Sequence, residues 1–156
     1  MNINTAKLAL EVLAVLHILV GLALPWLVEL PQFTYYNRHL LAAFNTESAE
    51  SLALGKFMIG ILGPTVASWG LLFLYVVHVS FTTRSRAGWY FMVIAITGWC
   101  LCDMYLSVRA GVYLNLLIDL VVLGLLLTPL VKVRDWFFSL PPAHIYSTAP
   151  AIDPVP

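Results

Sequence analysis

With 156 residues, 61% of them hydrophobic and only 10% charged, and a mean hydropathy of +0.89, the chain is too apolar for a water-facing domain, which carries about 25% charged residues. Eight Lys plus Arg balance eight Asp plus Glu, so no basic surface is left over for nucleic acid. The length suits one all-α bundle of four transmembrane helices, each span needing about 20 residues, in residues 1–135. An aromatic cluster and Pro-rich tail would occupy 136–156.

Lys7 followed by an apolar run to Leu24 has the layout of a signal peptide. We expect it to be retained as the first span, residues 6–24, ending where Pro25-Trp26 breaks the pattern and sets an indole at the interface. Next comes the long outer segment. Phe33, Tyr36, Leu40 and Phe44 recur every three or four residues with Asn37, Arg38 and His39 between them, which predicts a short amphipathic helix capping the bundle.

Thr46 followed by Glu47 and Glu50 reads as an N-cap and acidic first turn. The second span should enter the membrane near Lys56 and leave near Phe81. Gly60, Gly63, Ala67 and Gly70 form a small-residue seam for close helix packing, with Pro64 adding a kink. A third span is predicted over 88–108 and a fourth over 112–131. Arg84, Arg86 and Arg109 mark ends of the third, and Lys132 and Arg134 follow the fourth. Lys7, Arg84, Arg86, Lys132 and Arg134 fall on one side and Arg38, Lys56 and Arg109 on the other, which favours both termini in the cytoplasm. Trp136, Phe137 and Phe138 read as an interfacial cluster, and Pro141, Pro142, Pro150, Pro154 and Pro156 make the tail extended.

Charged groups at membrane depth are costly and are functional candidates by default. Trp99, Asp103, Ser107, Gly111, Asn115 and Asp119 are four residues apart throughout, which keeps each helix's members near one face. A turn centred on Gly111 pairs Ser107 with Asn115 and Asp103 with Asp119. Both acids would then lie about 12 Å below the turn at about 1.5 Å rise per residue. Two adjacent carboxylates in low dielectric need a proton, a metal or a cation such as Arg109 or Arg38. The plainer reading is a polar clasp that sets the hairpin's register.

His17 shares a face with Ala14 and Gly21 and should point inward, either bonded to a neighbouring helix or acting as a proton relay or ligand. Glu11 and His78 are read as interface residues. Cys100 and Cys102, two apart, point to different sides, cannot join each other without distortion, and are expected to be buried thiols. No P-loop, zinc-protease His pair, nucleophile elbow or dinucleotide fingerprint occurs. No catalytic residue, cofactor or metal is therefore expected.

The segments Gly60-x-x-Gly63-Pro64-x-x-x-x-Trp69-Gly70 and Trp99-x-x-x-Asp103-x-x-x-Ser107-x-x-x-Gly111-x-x-x-Asn115, closing with Pro129-Leu130, resemble a group of small bacterial inner-membrane proteins, some labelled cell-division protein BlhA. The likeness covers the second to fourth spans and implies a bacterial inner-membrane setting with no established activity. Asp119 departs from it, Asn being the expected residue there.

Three functions are carried forward. The first is an accessory subunit docking onto a larger membrane complex or itself, suggested by the seam, the aromatic belts, the Pro-rich tail and the missing catalytic motifs. Second is proton, cation or lipid-like ligand binding or transport through His17, Trp99, Asp103, Ser107, Asn115 and Asp119. Third is an enzyme acting on an isoprenoid or sterol-like substrate, as in small four-helix isomerases that use intramembrane carboxylates and histidines around an apolar pocket.

Overall fold

The computed structural model describes residues 1–46 and 48–139. Within them the chain is all helix: α1 (Ile3–Leu27), α2 (Pro31–Ala42), α3 (Ala49–Thr83), α4 (Arg86–Ala110), α5 (Tyr113–Lys132) and the single-turn α6 (Arg134–Phe138). Four of these, α1, α3, α4 and α5, are long and apolar enough to cross a membrane. We read the chain as a membrane protein on that basis. The Pro-rich segment from 141 and Glu47 lie outside the described residues.

α1 packs along α3, α4 packs along α5, and the two pairs touch each other less extensively. The α1–α3 contact is backbone against backbone. A Cβ built on Gly63 would stand 2.5 Å from the Gly21 carbonyl oxygen, and one on Gly70 would stand 2.9 Å from the Ala14 oxygen. Only glycine allows that approach. Gly60 is looser, its nearest neighbour being the Pro25 Cα at 3.8 Å.

The seam also explains why α1 does not stop at Leu24, as the sequence pattern predicted. Pro25 lies inside the helix and cannot donate to the Gly21 carbonyl four residues back. That oxygen faces Gly63 of α3, where a built Cβ would stand 2.5 Å from it, so the neighbouring backbone packs against the freed carbonyl.

α3 has 35 residues, roughly 52 Å at about 1.5 Å each, against a hydrocarbon core of about 30 Å. The helix is therefore longer than the hydrocarbon core, and α2 packs against it. The N-cap of α3 is Ser48, whose hydroxyl accepts from the Ser51 N–H. The predicted cap, Thr46, instead hydrogen-bonds the Ser51 hydroxyl at 2.6 Å.

The apolar core gathers at the end where α3 joins α4, here called the base. It contains Ala6, Leu10, Phe73, Val77, Met92, Leu126, Leu130 and Phe137. Phe137 is 1% exposed, so the cluster read as interfacial belongs to the core, and the packed bundle continues through α6. Its ring meets Phe81 edge-on at 5.1 Å, while Trp89 donates to the Leu130 carbonyl at 3.0 Å.

Arg84 and Arg86, read as topology residues, also grip α6. Arg84 Nε donates to the Trp136 carbonyl at 2.6 Å, and its other end reaches the Ser139 hydroxyl. Arg86 donates to the Phe138 carbonyl at 3.1 Å. Cations at carbonyls freed by a helix end are well placed electrostatically. Glu11 and His78 also meet at the base, 3.7 Å apart, with Lys7 3.6 Å from Glu11.

A candidate polar site under the cap

At the opposite end, the cap, the α4–α5 hairpin turns at Gly111. Its φ of +75° is a left-handed conformation that costs glycine least. The Val112 N–H donates back to the Ser107 carbonyl at 2.9 Å and closes the turn tightly. Tight closure sets equal depths across the hairpin. Asn115 Nδ2 donates to the Ser107 hydroxyl at 3.1 Å, so the first mirrored pair meets.

One turn deeper, Asp103 and Asp119 form the second mirrored pair across the hairpin, close enough for their carboxyl groups to interact electrostatically. Asp119 is only 3% exposed, and its Oδ2 has no hydrogen-bond partner. Asp103 is half-buried. Carboxylate oxygens only accept hydrogen bonds, so two of them can bond each other only when a proton sits between. Among the described residues no basic side chain forms an ion pair with either acid. Arg109, one of the cations expected there, lies over the Tyr105 ring at 5.8 Å, and Arg38 is exposed on α2.

Tyr36 of α2 completes the site and was not anticipated there. Its hydroxyl donates to Asn115 Oδ1 at 3.0 Å. Burial, and then the fields of Asp103 and Asp119, push that hydroxyl above its ordinary value of 10.0, so it stays a donor at any physiological pH. The reading of Tyr36 as part of an apolar face overlooked that a buried phenol needs a polar partner. Its neighbour Asn37, placed on the polar face by the pattern, is fully buried with neither side-chain atom bonded. Gly55 makes room for it, since a Cβ there would stand 3.3 Å from Asn37 Oδ1.

The six residues singled out from sequence separate into two groups. Asp103, Ser107, Asn115 and Asp119 form one polar column with Tyr36 above it. His17 and Trp99 belong elsewhere, both against Trp69, with ring centroids 5.0 and 5.9 Å from it. His17 Nδ1 bonds the Leu13 carbonyl of its own helix at 2.8 Å, so it is not a relay directly joined to the acids. Trp99 is 44% exposed. Both cysteines are free thiols, and Cys100 is buried as expected, but Cys102 is exposed, since two residues apart on one helix they face different sides.

The column offers only oxygen ligands around two carboxyls: a tyrosine hydroxyl, a serine hydroxyl and an amide carbonyl. Such a set suits a shared proton or a small hard cation. Comparison with known proteins found no matching family model, no matching curated protein and no matching solved structure.

Proposed function

We propose that this protein takes up and releases a proton at the Asp103–Asp119 pair, with α2 as the cover that sets access. The carrying observation is the buried Asp119 Oδ2, which has no donor and lies beside a second carboxyl. A proton between the acids supplies the missing donor, and a small cation would compete for the same oxygens. Intramembrane acids facing the bundle interior mark proton and ion paths by default. Reaching the site from the cap side requires Tyr36 to leave Asn115, the only hydrogen bond that ties the α2 side chains to the hairpin among the described residues.

The base carries Arg84, Arg86, Lys132 and Arg134, and the positive-inside rule puts that end in the cytoplasm with both termini. The motif likeness noted above supports a bacterial inner membrane. Purified protein in nanodiscs tests the proton reading. Thermal unfolding of the wild type should shift with added sodium and with pH, and Asp103→Asn plus Asp119→Asn should abolish the sodium response and reduce the pH response to the part that the Glu11–His78 and Glu29–Lys56 pairs supply. A wild type indifferent to both would remove this reading.

A second reading, an accessory subunit that docks onto a larger complex or itself, rests on the outer face of the α4–α5 hairpin. Gly98 and Gly124 lie there with no atom within 4 Å of a built Cβ, leaving backbone open to another helix. Gly98→Ile plus Gly124→Ile should release a stoichiometric partner in native-membrane pull-downs. No partner from the wild type would end this reading. The enzyme reading required His17 and Asp103 around one apolar pocket, and the His17–Trp69 contact gives it no support.

A further inference from the structure

An open groove of about 780 Å³ lies between the end of α1 and the start of α3, and it shares no residue with the acid pair. It forms because the two helices touch at Gly21 and Gly63 and then separate. Beyond that contact the floor is apolar, made by Pro25, Phe57, Gly60 and Pro64. Glu29 and Lys56 also line it and bond each other at 2.7 Å. Arg38 lines an adjoining depression with Glu29 and another with Leu52 of the groove wall. Lys56 and Glu29 balance each other in the lining, and Arg38, which flanks the groove from these depressions and forms no ion pair among the described residues, adds one positive charge beside the mouth. Lys56 and Pro64 are eight residues apart on α3, about 12 Å of rise, so a charged mouth at headgroup level leads to an apolar floor at acyl-chain level.

We propose that this groove holds one glycerophospholipid, its phosphate between Arg38 and Lys56 and an acyl chain over Gly60 and Pro64. The Arg38 charge flanking the mouth complements a phosphate, and the volume is within the roughly 300–1,000 Å³ of small-molecule sites. Glu29 on the rim offers an acceptor to a headgroup hydroxyl or amine.

Native mass spectrometry of delipidated protein, given phosphatidylglycerol, diacylglycerol or inorganic phosphate, tests this. The phospholipid should be retained at one per chain, and neither fragment alone should bind. Arg38→Gln and Lys56→Gln should each weaken retention about fivefold, as expected for one cation near a membrane surface. Gly60→Phe should expel the lipid by filling the floor, with thermal stability kept because Gly60 has only ordinary contacts. Equal retention in all three variants would overturn the proposal, as would binding of inorganic phosphate alone or a protein segment occupying the groove in its place.

Discussion

At the base, the core residues Leu10, Val77, Met92, Leu130 and Phe137 are each at most 1% exposed and Ser80 is the one buried polar side chain among the described residues, whereas beneath the cap the buried set includes Asn37, Ser107 and Asp119. Three side-chain atoms of Asn37 and Asp119 lack partners. A buried polar atom left unbonded costs about 1–3 kcal/mol, so the cap end is held against its own stability by the rest of the fold. Sites that break the local rules of burial are where function is expected. The base provides the rigidity that tolerates them.

Removing apolar volume from the base should cost most. Phe137→Ala is expected to destabilise by about 3–5 kcal/mol, read as the unfolding free energy in detergent. A loss under 1 kcal/mol would mean that α6 does not anchor the core.

Next is the α1–α3 seam, where Gly63→Leu forces side-chain volume against the Gly21 carbonyl. It should cost about 1–3 kcal/mol, while Gly60→Leu changes little. Equal effects at 60 and 63 would contradict the close approach at Gly63.

Within the polar column the effects shrink. Ser107→Ala takes the acceptor from Asn115 Nδ2 and should cost about 0.6 kcal/mol, the average for such bonds between membrane helices. Tyr36→Phe should have a similarly small effect on stability while speeding hydrogen exchange at the α4–α5 turn. In the wild type the Tyr36 phenolate should form only above pH 10, because burial and both acids oppose it. The stability linked to Tyr36 is therefore complete below pH 10 and is lost as pH rises through its folded value. The check is the ultraviolet difference spectrum between wild type and Tyr36→Phe.

Local pattern was enough to read the four spans and the hairpin. The Gly111 turn and the four-residue spacing brought Ser107 to Asn115 because hairpin depth is set by counting residues from a tight bend. Contacts made between distant elements could not be read in this way. Tyr36 reaches Asn115 only because α3 gives α2 a place to pack, and Arg84 meets Trp136 only because α6 folds back. Pro25 looked like a helix end, yet backbone contact with Gly63 lets α1 continue. His17 does face α3, where its ring meets Trp69, but its hydrogen bond returns to the Leu13 carbonyl of its own helix, a choice that a facing argument cannot read.

Infrared spectroscopy of the carboxyl stretch most directly tests the claim that the two acids share a proton. At neutral pH in cation-poor buffer, the wild type should show a protonated aspartic acid band that is absent in Asp119→Asn and that sodium weakens. Fully ionised aspartates in the wild type under every cation condition would contradict the account.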